Sequence, residues 1–153
     1  MDEIELIKLL TRDLPGNDRV VVAAGDDCAA LKGETSEELL LFKTDAIVEG
    51  IHFTAETPPE KIGRKALARC LSDIAAMAGS PTAALVTLAL PADFDPARVE
   101  SIYLGLNKLA REFNVAIVGG ETTTNPGGIL ISISLLGRVE SSKITLRSTA
   151  KLG

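Results

Sequence analysis

From Ile129 to Gly137 the chain is apolar in both phases of a strand. Ile129, Ile131, Ile133 and Leu135 fall in one phase, and Leu130 and Leu136, with Ser132 and Ser134, in the other. A strand turns successive side chains to opposite faces of its sheet, so this segment asks for cover on both sides. Two amphipathic segments within the chain supply one cover. The second is expected to be another copy of the same sheet face in a symmetric dimer, which would hide an otherwise exposed apolar surface.

The remaining periodicities set the order of elements. Ile4, Leu6, Ile7, Leu9 and Leu10 predict a short first helix, closed by the turn Leu14-Pro15-Gly16-Asn17. Strands are expected at Val20 to Ala24, Ala29 to Leu31 and Leu39 to Thr44, with an extended segment from Ile47 to Phe53. Pro58-Pro59 precede the strongest helical stretch, Glu60 to Ala78, with Leu67, Leu71, Ile74, Ala75 and Ala78 as its main apolar face and Gly79 as its stop. Thr82 to Leu90 reads as a deeply placed strand. Asp95 and Pro96 then open a helix whose Val99, Ile102, Tyr103, Leu106, Ala110 and Phe113 keep a helical period. Val115 to Val118 is expected to be a short strand running into a Gly119-Gly120-Glu121 loop, and Asn125-Pro126-Gly127-Gly128 turns the chain into the last strand. The order predicts an α+β domain: a mixed, largely antiparallel sheet with both long helices on one face.

At 153 residues the chain suits a single domain, and 46% hydrophobic against 24% charged residues is globular composition. A net charge of −5 without a basic cluster argues against a nucleic-acid face, which would need many phosphates neutralised. Cys28 and Cys70 have neither metal-ligand nor redox spacing, so reduced buried thiols in a cytoplasmic protein are expected. Residues 1–11 are acidic and amphipathic, without the form of a signal peptide, and no apolar run reaches membrane-spanning length.

Acidic residues beside glycines, small residues or hydroxyls carry the chemistry. Gly25-Asp26-Asp27 ends a strand at a tight corner, where the acids either ligate a cation or cap a solvated turn. Thr44-Asp45 lies at another strand end, just before Glu49-Gly50-Ile51-His52-Phe53. His52 is the sole histidine, and it reads either as a packed, hydrogen-bonded residue or as a site residue near Asp45. Asp73 sits on the flank of Ile62, Ala66, Cys70 and Met77. An ionised carboxylate buried there needs a compensating cation, either a metal or a neighbour such as Arg69 or Lys65. Gly119-Gly120-Glu121 precedes three threonines, where backbone amides and hydroxyls could meet an anion. The acids suit a divided site for a hard cation and a polyphosphate, and neither a P-loop nor a Gly-x-Gly-x-x-Gly sequence is present.

In order, Gly25-Asp26-Asp27-Cys28-Ala29, Thr44-Asp45, Val48 to Phe53, Leu71 to Met77 and Gly119-Gly120-Glu121-Thr122 resemble the thiamine-monophosphate kinase family, over nearly the whole chain. The resemblance implies an N-terminal domain like that of aminoimidazole ribonucleotide synthetase, responsible for ATP and Mg²⁺ binding and for dimerisation through the sheet. It implies Mg²⁺ ligands at Asp27, Thr44, Asp45, Asp73 and Glu121, and a thiamine monophosphate contact at His52. Nucleotide contacts are implied at Gly120, Glu121 and Arg147. Three departures stand out: Glu121 replaces an aspartate, Lys43 replaces a small hydroxyl residue, and the sequence stops at Gly153 within a linker-like stretch, so the family's C-terminal domain is expected to be absent from this chain and the fragment alone inactive. Another ATP-using enzyme of the same superfamily, or a non-catalytic nucleotide-binding and dimerising module, are the competing expectations.

Overall fold

The computed structural model describes residues 1–152. Its elements are α1 (Glu3–Thr11), β1 (Val20–Val22), β2 (Ala29–Lys32), β3 (Glu38–Val48), α2 (Pro59–Ala76), β4 (Ser80–Leu90), α3 (Pro96–Glu112), β5 (Ala116–Thr124) and β6 (Leu130–Glu140), then a 3₁₀ turn at Arg147–Thr149. The sheet has the order β1-β2-β3-β6-β4-β5. Every neighbouring pair is antiparallel except β4 and β5, which α3 joins by a helical crossover of the kind parallel strands require. The mixed, largely antiparallel α+β architecture is the one the periodicities predict.

Alternation along the strands builds the core. Ile131, Ile133 and Leu135 of β6 meet Ala84, Val86 and Leu88 of β4 and Leu41 and Ile47 of β3 on one buried face. Helix α2 lies over these strands, with α3 packed along α2 and reaching β5. At their crossing the backbones touch: a Cβ added to Gly63 would stand 1.8 Å from the Ile102 carbonyl oxygen, and one on Gly105 would stand 1.9 Å from that of Glu60. No side chain fits in that space. Because α2 is held between the sheet and α3, its buried arc is wider than one stripe and rotated from the expected face. It holds Ile62, Gly63, Ala66, Leu67, Cys70, Leu71 and Ile74, while Ala75 and Ala78 face solvent. Phe113, expected in the core, is likewise exposed at the end of α3.

Two further expectations change. Leu39 to Thr44 and the start of the Ile47 segment form one unbroken strand, because β6 pairs with all of it from Glu38 to Val48. The Gly119-Gly120-Glu121 segment is strand rather than loop, since β5 runs on to Thr124 in register with β4.

The second face of the sheet is bare. Phe42, Leu85, Val118 and Leu136 are each exposed there, lining with Ser134 a shallow depression of about 240 Å³. No helix among the described residues is long and apolar enough to cross a membrane.

Candidate functional site

Strand alternation places Lys43 and Asp45 on the same face as buried Leu41 and Ile47, looking toward α2. On α2, Lys65, Arg69 and Asp73 recur every four residues, so they share one edge of the helix, and that edge runs along β3. The result is a seam of polar contacts between helix and strand. Lys43 Nζ lies 2.6 Å from Asp73 Oδ2, with each side chain 23% exposed. Arg69 grips Asp45 in a fork, Nε to Oδ2 at 2.9 Å and Nη2 to Oδ1 at 3.0 Å. Further along, the Lys65 ammonium donates to the His52 carbonyl.

Asp27 joins the same neighbourhood from the corner before β2. Asp26 Oδ1 accepts from the Asp27 amide at 2.9 Å, and the Cys28 amide donates to Met77 Sδ, which ties the corner to the end of α2. Arg147 closes over it: its guanidinium donates to Asp27 Oδ1, and its amide donates to Asp26 Oδ2 at 3.2 Å. Lys43 is close enough to act on all three carboxylates, touching Asp73 and exchanging charge stabilisation with Asp27 and Asp45.

These pairings shift the titrations. The Arg147 hydrogen bond holds the Asp27 carboxyl below the ordinary carboxylate range, against a smaller opposing effect of burial. Burial would pull the Lys43 ammonium down, but the Asp73 hydrogen bond and the charges of Asp73 and Asp45 outweigh it and leave its pKa raised. Hydrogen bonding to Asp45 raises the Arg69 pKa. Burial pushes the Cys28 thiol up to about 11 and the Cys70 thiol up to about 12, so both are protonated and inert at neutral pH.

Thr44 and Glu121 lie elsewhere. Thr44 alternates onto the bare sheet face, its hydroxyl 3.4 Å from those of Ser132 and Ser134. Glu121 pairs with Thr87 on the edge strand β5 and is exposed on that same bare face. Three strand spacings separate β5 from β3, about 14 Å. Gly120 is also on β5, where a Cβ would stand 1.8 Å from the Val86 carbonyl oxygen, so close strand packing alone demands a glycine there. The structure therefore brings together Asp27, Asp45 and Asp73, with Arg147, and leaves Thr44, Gly120 and Glu121 apart from them.

His52 sits in the tight loop after β3, which ends at Val48, three residues or about 10 Å along the strand from Asp45. Its Nδ1 accepts from the Val48 amide at 3.1 Å, so in the neutral ring the proton resides on Nε2. Arg98 of α3 donates to the Ala55 carbonyl at 2.8 Å, and Glu49 Oε2 accepts from the Ile129 amide at 3.0 Å. Arg98 and Lys65 thus hold the loop carrying His52 from two helices, roles that sequence reading missed because both partners are backbone carbonyls. Arg69 escaped as the partner of Asp45 because its nearest acid in sequence, four residues on, is Asp73.

Among the described residues no three His, Cys, Asp or Glu side chains are grouped to hold a metal ion. Asp27, Asp45 and Asp73 each accept from a cationic side chain instead. As arranged, the expected Mg²⁺ ligands do not fit a ready-made metal cluster.

A family model described as AIR synthase related protein, N-terminal domain, matches residues 25–139. The chain is 35% identical to thiamine-monophosphate kinase of Bacillus subtilis over 99% of its own length and 46% of that relative's. It is 36% identical to the enzyme of the same name from Synechococcus elongatus, over 100% of this chain and 45% of that one. A solved structure described as "AaThiL complexed with AMPPCP and TMP" superposes with a TM-score of 0.82 at 34% identity, covering 98% of this chain and 44% of that one. The chain thus spans less than half the length of the relatives it matches. On the match over residues 25–139, and on the sheet order and helix placement that go with it, the chain belongs to the AIR synthase related protein family as its N-terminal domain.

Proposed function

We propose that this chain is the N-terminal part of a kinase that transfers the γ-phosphoryl group of ATP to thiamine monophosphate, giving thiamine diphosphate and ADP. The observation that carries the reading is the likeness, at 34% identity over 98% of the chain, to a structure complexed with AMPPCP and TMP. The polar seam agrees with it. One continuous line along α2 and β3 links the acidic corner at Asp27, Asp45 and Asp73 to the loop of His52, so a nucleotide and a phosphate acceptor can lie end to end.

The reaction asks little covalent chemistry of the protein. A phosphate oxygen of thiamine monophosphate, already ionised, bonds to the γ-phosphorus as the bond from that phosphorus to the β,γ-bridging oxygen breaks, and ADP leaves with the electron pair. Catalysis is then positioning and neutralisation of charge on the moving group. Arg147, 62% exposed, swings from Asp27 to the nucleotide phosphates. His52 offers Nε2–H to the acceptor phosphate, with Lys65 and Arg98 fixing its loop. Mg²⁺ is part of the proposal as the ion ATP brings with it, and Asp27, Asp45 and Asp73 are the carboxylates beside its path. Thr44 and Glu121, on the bare face, contribute metal contacts, and Gly120 and Glu121 of β5 contribute nucleotide contacts, where a second copy covers that face in a homodimer. We place the protein in the cytoplasm, with no nucleic-acid or membrane partner.

The test uses the protein expressed from its complete reading frame. Incubated with ATP, Mg²⁺ and thiamine monophosphate, it forms thiamine diphosphate, detected by oxidation to a fluorescent thiochrome and chromatography, and free thiamine gives none. ADP release without thiamine diphosphate points to another acceptor and overturns the reading.

A further inference from the structure

We propose that Lys43 is a resident cation of the acidic corner, which holds Asp73 in an ion pair and keeps divalent metal ions off that carboxylate. The inference rests on the reading above, that this corner faces the nucleotide and the cations it carries, and adds how many cations the corner accepts.

Three observations carry it. The first is contact: Lys43 Nζ is 2.6 Å from Asp73 Oδ2, and both side chains are mostly buried. A metal ion bound by Asp73 would compete with the ammonium for the same oxygen. The second is charge. Asp26, Asp27, Asp45 and Asp73 carry four negative charges against three positive ones on Arg147, Arg69 and Lys43, so the folded corner keeps only one uncompensated charge. A corner so nearly balanced attracts a free divalent ion weakly, whereas removing Lys43 leaves a further, partly buried carboxylate that gains by taking one. The third is anchorage. Arg69 and Arg147 are 39% and 62% exposed and can turn outward into solvent, but Lys43 projects inward from the middle of a paired strand and is confined beneath α2. Of the three cations it alone has nowhere to withdraw.

Manganese titrations read this directly, through loss of the free-ion paramagnetic resonance signal, with circular dichroism confirming the fold of each variant. Lys43→Thr is expected to bind about one more Mn²⁺ than the unaltered protein, with affinity at least about tenfold above its background uptake. Lys43→Gln keeps the length of the side chain, serves if the threonine variant does not fold, and is expected to gain the same ion. Lys43→Arg retains the charge and should match the unaltered protein. Adding Asp73→Asn to either gain variant abolishes the extra ion, whereas Asp73→Asn alone leaves uptake unchanged. Equal Mn²⁺ uptake by the unaltered protein and the neutral Lys43 variants overturns the inference, as does a gain that survives Asp73→Asn. Failure of the unaltered protein to bind ATP with Mn²⁺ is a separate result and overturns the functional reading beneath it.

Discussion

Arg147 reaches Asp27 from 120 positions away, and the consequence is a carboxyl that ionises more readily folded than unfolded. Because its folded pKa is depressed, the pair stabilises the fold fully above the ordinary value of 3.8 and loses that contribution as pH falls through the folded value. Arg147→Ala is therefore expected to return the Asp27 titration upward, as followed by carboxyl-carbon NMR. The stability gap between the variant and the parent should close at the acid end of that range. The cysteines give a second prediction. With thiols at about 11 and about 12, Cys28 and Cys70 should resist a disulfide reagent at pH 8 in the native protein and react promptly once it is unfolded in urea. Rapid native labelling would contradict their burial. At this scale the sequence was half legible. The need of Asp73 for a cation followed from its place on a buried flank, but the identity of that cation did not, because Lys43 comes from a strand whose register with α2 depends on tertiary packing.

Helix α2 depends on glycine at the point where it crosses α3. Gly63→Ala and Gly105→Ala each force a methyl group into a backbone carbonyl, so the helices must part or shift. Overpacking of this kind costs on the order of 2 kcal/mol, about 4–8 °C in melting temperature for a domain of this size. Scanning calorimetry reads the loss, and a change below about 1 °C would mean that the crossing yields easily. The same crossing explains why the apolar face of α2 was misplaced: hydrophobic period locates a stripe, but Gly63 gives no hydrophobic signal where it is buried, and Ala66 and Ala75 read alike although only the first is buried. Helix starts were more legible. Asp95 caps α3 by accepting from the Ala97 amide at 3.0 Å, with Pro96 at the first position, as their order in sequence implied. The Gly119-Gly120 pair misled in the opposite way, since glycines that read as a loop serve here to bring β5 against β4.

For the molecule as a whole, alternation along β6 made its two apolar faces readable from sequence. Helices cover one face. The other presents Phe42, Leu85, Val118 and Leu136 to solvent, and pairing of two copies through it is the expected state. Leu136→Lys, placed at the centre of that face, should convert the dimer to a monomer by sedimentation, while its far-ultraviolet dichroism remains that of the parent. A parent that sediments as a monomer at every concentration would leave the face in need of another cover.

The sheet order carries one more consequence. β6 comes last in sequence among the six strands of this sheet, yet it sits between β3 and β4, and the two halves of the sheet pair only through it. During synthesis, β1 to β3 and the β4–α3–β5 unit must wait as separate pieces with their inner edges unpaired until residue 140 leaves the ribosome. Strand edges left unpaired in that interval are exposed to association with other chains. The same order also means that α2 rests on β3 alone, through the Lys43–Asp73 and Arg69–Asp45 pairs, until β6 and β4 complete the floor beneath it.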